Sequence, residues 1–270
     1  MVPLWTIARR KFMVLLLDLG NTNLYVGVYR DDKLLYDYRT YSDVNKSSDE
    51  YKAIIKEFLH ANDLHRSDFK GAILSSVIPS LTLTICNSIE KLFGFKCMVV
   101  GNKLKTGLSI RIDNPSELGS DLVCDAIGAK HRYGTPVLIA DLGTASKIMA
   151  VDKNGNFVGV TISPGINLSM KALSNGAAQL MDVSLIAPES IIGKNSADSI
   201  NSGLIYGTIA MVEGLCEKIE KEFGYNFKRV LTGGYAEIVK NHIDKRFVFD
   251  ADLILEGLYQ IYLKNVGDNK

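Results

Sequence analysis

Two short turns carry the residue types that can bind a phosphate group. Asp18-Leu19-Gly20-Asn21-Thr22 and Asp141-Leu142-Gly143-Thr144-Ala145 each follow an apolar run and share the order Asp-Leu-Gly. In such a turn glycine lets a phosphate approach backbone N–H groups, and threonine or asparagine adds a further donor. The aspartate can hold Mg²⁺ directly or through water. One such loop from each half of the chain would bind a polyphosphate from both sides. The alternative is a pair of ordinary hairpin turns with satisfied aspartates.

A third acidic residue, Asp121, ends the segment 114–121, which combines a turn, a glycine and an acid just before a predicted helix. An acid at that point is typical of a helix N-cap. It is also suited to act as a general base, accepting the proton of an alcohol that attacks a phosphate. Two glycine turns, Ser163-Pro164-Gly165 and Thr232-Gly233-Gly234, are either ordinary turns or close approaches of the backbone to a nucleotide.

Several common catalytic motifs are missing from the sequence. It contains no G-x-x-x-x-G-K-[ST] phosphate loop, no G-x-G-x-x-G fingerprint, no G-x-S-x-G nucleophile turn and no H-E-x-x-H zinc motif. The four histidines lie apart in polar surroundings, which predicts surface or helix-end positions. The two Asp-Leu-Gly turns and Asp121 are therefore the main candidates for chemistry.

The composition is that of a globular protein with no strong electrostatic preference. The chain has 270 residues, 47% of them hydrophobic and 23% charged, and a net charge of +1. This balance argues against binding to nucleic acid or to an anionic membrane surface. No apolar run approaches the length of a membrane span. Four scattered cysteines without a C-x-x-C pair indicate buried thiols in a reducing cytoplasm.

The predicted elements repeat once along the chain. A buried strand at 14–18 ends in the first Asp-Leu-Gly turn and opens a meander of short strands, followed by helices and further strands. A buried strand at 136–141 ends in the second turn and opens the same plan. The repeat predicts two similar α/β lobes, residues 13–121 and 122–270, with a central cleft. Residues 1–12 are predicted to be an N-terminal extension outside the fold.

Taken together, these segments resemble the type III pantothenate kinases over nearly the whole chain from Met13. The resemblance rests on eight segments in the family's order and spacing, namely residues 18–23, 75–79, 105–108, 114–121, 141–145, 162–165, 193–196 and 232–234. It implies a duplicated ribonuclease-H-like fold of the acetate-and-sugar-kinase/actin class, working as a homodimer. The implied reaction is ATP-dependent phosphorylation of pantothenate to 4′-phosphopantothenate, the first step towards coenzyme A. It also implies Mg²⁺ with ATP and a monovalent cation, K⁺ or NH₄⁺.

The resemblance also implies roles for particular residues. Asp121 would be the catalytic base, Asp141 would lie at the monovalent cation, and Thr144 would contact the ATP phosphates. The first phosphate loop would consist of Asp18, Leu19, Gly20, Asn21, Thr22, Asn23, Leu24 and Tyr25. The pantothenate pocket would be formed by Gly119, Ser120, Asp121 and Leu122, with Ser196 contacting pantothenate across the dimer interface.

Four positions depart from the family pattern. Leu122 stands in place of a substrate-binding arginine, and a leucine cannot bind a carboxylate. Ile112 replaces a substrate-binding tyrosine, Lys147 replaces a threonine, and Val160 replaces a glycine. Three hypotheses follow: a pantothenate kinase with a rearranged pocket, a kinase for another small alcohol, or a non-catalytic homologue that binds nucleotide and regulates. Lys147 is a candidate replacement for the missing positive charge.

Overall fold

The two apolar runs that end in Asp-Leu-Gly form central strands of two different sheets. In the computed structural model, which describes residues 12–101, 103–176 and 183–267, these strands are β1 (Met13–Leu19) and β7 (Val137–Leu142). Nearly all of their side chains are buried, as expected for continuous apolar runs that lie between neighbouring strands. Each strand therefore fixes the point at which its Asp-Leu-Gly turn begins.

The first sheet has five strands in the order β3-β2-β1-β4-β5. Strand β1 pairs antiparallel with β2, which pairs antiparallel with β3, whereas the β1–β4 and β4–β5 pairs are parallel. The strands besides β1 are β2 (Asn23–Arg30), β3 (Lys33–Tyr41), β4 (Phe69–Ser76) and β5 (Met98–Val99). The meander predicted at the start of the fold is confirmed.

The second sheet has six strands in the order β11-β10-β7-β8-β9-β6. Its strands besides β7 are β6 (Ser109–Ile110), β8 (Ala145–Val151), β9 (Asn156–Pro164), β10 (Lys228–Thr232) and β11 (Phe247–Phe249). Five of these strands, in the order β9-β8-β7-β10-β11, repeat the order β3-β2-β1-β4-β5 of the first sheet and its strand directions. The predicted duplicated α/β fold is confirmed by this topology. Strands β6 and β11 were not predicted, because two or three residues are too few to show a hydrophobic periodicity.

Two of the helices that pack on the first sheet have clear end signals. Helix α1 (Ser48–Ala61) begins after Ser47, whose side chain and that of Glu50 form a reciprocal capping box. Helix α2 (Pro79–Phe93) begins with proline at its first turn and ends at Gly94, whose φ of 80° suits only glycine well. The apolar faces of these helices join the inward residues of β1, β2 and β4 in one core.

Five further helices belong to the rest of the chain. They are α3 (Ser120–Tyr133), α4 (Ile166–Gly176), α5 (Ser196–Phe223), α6 (Ala236–Val239) and α7 (Leu253–Gly267). Two single 3₁₀ turns span Arg66–Asp68 and Pro115–Glu117. A second core forms where α5 and α6 pack against one face of the second sheet. The second Asp-Leu-Gly turn connects β7 with β8, and β10 lies beside β7 in the same sheet.

The chain divides into two compact units. One lies within residues 1–105 and 258–270 and holds the first sheet, and the other is formed by Thr106–Gly257 and holds the second sheet. The predicted lobe boundary at residue 121 stays a prediction. Residues 1–11 of the predicted extension lie outside the described residues, and β1 begins directly after Phe12. In the part of the chain that the structure describes, no helix is long and apolar enough to cross a membrane.

Helix α3 and the first five residues of α7, both in the second unit, approach each other closely because glycines lie at their crossing. A methyl group on Gly257 would overlap the backbone carbonyl of Cys124, and one on Gly128 would overlap the carbonyl of Leu253. Glycine in a helix interior is otherwise costly, so its use here serves backbone packing. The crossing holds α3, and with it Asp121, against the rest of the unit.

Replacing Gly257 with alanine is expected to lower the free energy of unfolding by about 1–3 kcal/mol, because the helices must separate to admit the methyl group. Gly214→Ala in α5 is the matched control, since its methyl would meet no atom within 4 Å. Better helix propensity should then raise stability by up to ~1 kcal/mol. Urea denaturation of both variants measures the difference. Equal effects of the two substitutions would contradict the proposed close approach.

Candidate active site

The first Asp-Leu-Gly turn is supported by neighbouring strands of the first sheet. Asp18 lies near the end of β1, opposite Tyr25 on β2 and beside Ser75 on β4. The turn closes through a 3.0 Å hydrogen bond from the Gly20 N–H to the Asn23 carbonyl. The Ser42 hydroxyl then donates to the Gly20 carbonyl at 2.6 Å. These bonds hold the turn in one shape at the end of a buried strand.

The residues predicted to form the first phosphate loop differ widely in exposure. The exposed side chains are those of Asn21, Thr22 and Asn23, whereas those of Leu19, Leu24 and Tyr25 belong to the core. Arg39 lies over the Tyr25 ring, with its guanidinium carbon 3.5 Å from the ring centroid. A ligand at this turn would therefore meet backbone groups and the three exposed polar side chains. The buried members of the set support the turn from beneath.

The second Asp-Leu-Gly turn has the same position in the second sheet. Asp141 lies near the end of β7, directly beside Thr232 at the end of β10. The turn closes with a 3.1 Å hydrogen bond from the Gly143 N–H to the Ala145 carbonyl, and the Thr144 side chain is exposed. A hydroxyl residue thus lies next to the aspartate in both sheets, Ser75 in the first and Thr232 in the second.

Both glycine turns singled out in the sequence pack against this second turn. The Gly165 N–H donates to the Thr144 carbonyl at 3.1 Å, and a methyl group on Gly165 would overlap the carbonyl oxygens of Gly143 and Thr144. Gly233 has a φ of 97°, and a methyl group there would overlap Asp141 and the Leu142 backbone. The close approach that these glycines permit is to the second turn itself. The three motifs, distant in sequence, form one assembly.

Asp121 is the second residue of α3. The helix is capped by Gly119, so the N-cap interpretation of Asp121 is wrong. Its carboxylate lies in the first turn, where the exposed N–H groups and the helix dipole favour negative charge. Gly119 leaves room for it, since a methyl group at that position would overlap Asp121 Oδ1. The start of α3 therefore carries a partly exposed carboxylate beside a glycine that gives it room.

The side chain of Lys147 connects Asp121 with the second turn. Its ammonium nitrogen lies 2.9 Å from Asp121 Oδ2 and 2.7 Å from Asp141 Oδ2. The three side chains are mostly removed from water, with exposed fractions of 15% for Lys147, 22% for Asp121 and 13% for Asp141. One ammonium thus bridges two carboxylates that come from a helix and from a strand.

The charges of this cluster depend on one another. Burial alone disfavours a charged lysine, but the Asp141 and Asp121 carboxylates outweigh it and raise the pKa of Lys147 above its ordinary value. Burial also raises the pKa of Asp141, while the Lys147 ammonium acts in the opposite direction. Lys147 is therefore positively charged throughout the neutral range. Charge-assisted hydrogen bonds of this length are among the stronger polar contacts in proteins.

The sequence contains a signal for this bridge in the register of the β7–β8 hairpin. Asp141 and Lys147 are directly opposite each other in the antiparallel β7–β8 pair. Residues directly opposite on neighbouring strands share a face, and opposite charges there attract. A prediction of the hairpin register would have placed the ammonium at Asp141. The contribution of Asp121 was not accessible in this way, because it depends on how α3 packs.

The remaining residues predicted for the acceptor side lie in varied surroundings. Gly119 and Ser120 are half-buried at the start of α3, next to Asp121, whereas the Leu122 side chain is only 7% exposed and belongs to the core. Ser196 is the exposed first residue of α5 and lines a groove of about 690 Å³ together with Leu173 and other residues of the second unit. The structure therefore brings together Asp121, Asp141, Lys147 and Thr144, with Gly119 and Ser120 adjoining.

Comparison with known proteins gives one family and many structures of similar fold. The family model described as type III pantothenate kinase matches residues 14–218. Among solved structures, one from Campylobacter jejuni that carries the name of a Baf family transcriptional activator is 20% identical. It covers 94% of this chain and 99% of its own, with a TM-score of 0.58. MreB5 of Spiroplasma citri bound to ADP is 13% identical, with a TM-score of 0.52 over 97% of this chain and 100% of its own.

A third structure, the ethanolamine utilization protein EutJ from Carboxydothermus hydrogenoformans, is 14% identical. It has a TM-score of 0.51 over 93% of this chain and 89% of its own. At such identities these structures show the fold alone, and they agree with the actin-like topology of the two sheets. The family model spans most of the chain, including both Asp-Leu-Gly turns, Asp121 and Lys147. The chain is a kinase that belongs to the type III pantothenate kinase family.

Proposed function

We propose that this kinase transfers the γ-phosphoryl group of ATP to pantothenate, giving 4′-phosphopantothenate and ADP in the first step towards coenzyme A. The observation that carries the proposal is the cluster of Asp121, Lys147 and Asp141 against the second Asp-Leu-Gly turn. It combines a carboxylate able to accept a proton with a loop whose backbone can approach a phosphate. Family membership supports ATP as the donor, together with a divalent metal.

On the ATP side, we assign phosphate contacts to the two Asp-Leu-Gly turns. The first would contribute the residues 18–25, chiefly through its backbone and its exposed polar side chains. The second would contribute Thr144, which is exposed at the tip of the turn. Mg²⁺ usually binds through one or two carboxylates together with substrate phosphates and water, and Asp18 fits that role as the carboxylate of the first turn. The metal would neutralise charge on the transferred phosphate.

In the transfer step, the primary hydroxyl oxygen of pantothenate attacks the γ-phosphorus while the bond to the bridging β–γ oxygen breaks. Asp121 accepts the proton of that hydroxyl, and ADP leaves with the electron pair of the broken bond. The position of Asp121 in the first turn of α3 supports this role, because the unpaired N–H groups of a helix start favour a negatively charged side chain. Gly119 and Ser120 would line the acceptor pocket beside it.

The choice of acceptor depends on Leu122, which stands in place of a substrate-binding arginine. This side chain is packed in the core, where it offers no charge to a substrate carboxylate. Losing one charge-assisted contact costs about 1.5–3 kcal/mol, roughly 10- to 150-fold in affinity. The same observation favours the second candidate functions, a kinase for another small alcohol or a nucleotide-binding regulator without turnover. Lys147 is engaged with two carboxylates, so it is not the replacement for that charge.

A homodimer in the cytoplasm completes the proposal. The second unit exposes several large apolar side chains, and one of them, Leu173, lines the groove at Ser196, as expected of a surface that a second copy covers. They include Leu168, Leu173, Ile186, Ile191 and Ile192. This supports the assignment of Ser196 to a pantothenate pocket shared between subunits. All four cysteines are free thiols, which supports a reducing compartment.

The test is ADP release by the purified protein with ATP and Mg²⁺, measured with pantothenate, with its neutral alcohol analogue that lacks the carboxylate, and without acceptor. Pantothenate-dependent release, with a phosphorylated product identified by mass spectrometry, is the expected result. Similar KM values for pantothenate and the neutral analogue would show that the carboxylate is not bound, as Leu122 predicts. A folded protein that binds ATP but releases no ADP with either acceptor would contradict the proposal and favour a regulatory role.

A further inference from the structure

The bridge formed by Lys147 has the geometry of a cation site that the chain fills with its own side chain. One nitrogen lies within 3 Å of an oxygen from each of two carboxylates, at 2.9 Å from Asp121 and 2.7 Å from Asp141. The two largely buried carboxylates are separated only by the space that one ammonium group fills. Without a positive charge in that space they would repel each other strongly. The arrangement therefore needs a cation at that point.

A metal ion of single charge does not fit at Asp141 in this structure. Asp141 Oδ2 already accepts from the Lys147 ammonium, which also donates to Asp121 Oδ2. The β7–β8 register sets the backbone of Lys147 directly opposite Asp141, and the two ionic contacts hold its ammonium. A K⁺ or NH₄⁺ ion would have to displace a side chain held by strand pairing on one side and by two ionic contacts on the other.

We propose that the Lys147 ammonium serves as the cation of this site, so that the enzyme works without added K⁺ or NH₄⁺. Lys147 is then a positioning residue, because it holds Asp121 Oδ2 and leaves the second oxygen, Oδ1, to accept the substrate proton. The catalytic part of this inference rests on the proposed phosphoryl transfer. The cation part rests only on the geometry of the three side chains.

The first measurement compares ADP release in potassium, ammonium, sodium and choline chloride at equal ionic strength. The unmodified protein is expected to change by less than about twofold, since the charge it needs is covalently attached. A fall of tenfold or more in choline relative to potassium would overturn the proposal. Lys147→Thr removes the ammonium and leaves space, so its activity is expected to fall by roughly 10- to 100-fold in choline and to recover in potassium or ammonium.

The second measurement is thermal unfolding of the protein without substrates in the same four salts, which does not depend on the identity of the acceptor. The melting temperature of Lys147→Thr is expected to rise in potassium or ammonium relative to choline, while that of the unmodified protein does not respond. Lys147→Met fills the space without a charge and is expected to lose activity with no recovery in any salt. Lys130→Thr is the matched control, because Lys130 is a part-buried lysine that donates to the Gly155 carbonyl and not to a carboxylate.

The outcomes separate this inference from the proposed function. A salt response of Lys147→Thr in thermal unfolding, without pantothenate phosphorylation by the unmodified protein, would support the cation role and contradict pantothenate as acceptor. A Lys147→Thr variant that is folded but shows no response to potassium or ammonium in either measurement would overturn the cation role, whatever the acceptor.

Discussion

Asp121→Asn is expected to lower kcat by about 10²- to 10⁴-fold, the usual contribution of a positioned general base. Asparagine keeps the shape of the side chain and an oxygen for Lys147, but its amide cannot accept the hydroxyl proton. Because Asp121 does not belong to either Asp-Leu-Gly turn, the dissociation constant for ATP is expected to stay nearly unchanged. Steady-state ADP release and a separate nucleotide titration measure the two quantities.

Glu117→Gln provides the control for Asp121→Asn. Glu117 is an exposed carboxylate in the same segment, four residues earlier, and its partner is the Asn114 side-chain amide. Neutralising it removes one negative charge near the site without touching Lys147, so kcat should stay close to that of the unmodified protein. Retained turnover in Asp121→Asn would remove Asp121 from its role as base. An equal loss in both variants would indicate a general effect of charge.

The largest effect on stability is expected from Arg132→Met at the end of α3. Arg132 donates to Asp250 at 2.7 and 2.8 Å and to Glu256 at 2.9 and 3.2 Å. The two carboxylates are only 6% and 4% exposed. Methionine preserves most of the packing of the stem but leaves both acids without their main cation. Breaking a buried ion pair in this way costs about 3–5 kcal/mol.

Denaturant unfolding measures this loss, and its pH dependence tests the cause. A buried carboxylate without a cation destabilises the folded state only while it is charged. The loss should therefore shrink as pH falls towards about 4 and carboxyl groups become protonated. Arg246→Met is the control, since Arg246 pairs with Asp244 and Glu217 at the surface and should matter little. A small loss in Arg132→Met, or one that is independent of pH, would contradict this account.

Much of the fold was accessible from local pattern. Continuous apolar runs identified β1, β4 and β7, and proline followed by helical spacing gave α2 its observed bounds of 79–93. The repeated Asp-Leu-Gly turns predicted the duplication that the two sheets display. These features are determined by neighbours in sequence, which is why the sequence alone could predict them.

What could not be predicted depends on packing between distant segments. The role of Gly128 and Gly257 in packing becomes apparent only from the crossing of α3 and α7 in the structure. Gly165 and Gly233 resembled isolated turns, and only the fold shows that both support the second turn. The sequence therefore predicted Asp121, Asp141 and Thr144 as residues of the candidate site, but not the contacts between them. The sequence shows Lys147 as a departure from the family pattern, but it does not predict the two ionic contacts with Asp121 and Asp141.

The register of the β7–β8 hairpin converts a spacing of six residues, from Asp141 to Lys147, into a property that can be looked for in other sequences. Because side chains alternate between the two faces of a strand, a shift of the β7–β8 pairing by one residue would move the lysine to the opposite face. A lysine six residues after the second Asp-Leu-Gly aspartate, in a chain that retains the acid at the start of α3, would thus mark enzymes indifferent to the alkali-metal content of their buffer. In the first hairpin the residue opposite Asp18 is the aromatic Tyr25, seven positions on. The two Asp-Leu-Gly hairpins thus differ in charge opposite their aspartates, with an ammonium in the second and a neutral ring in the first.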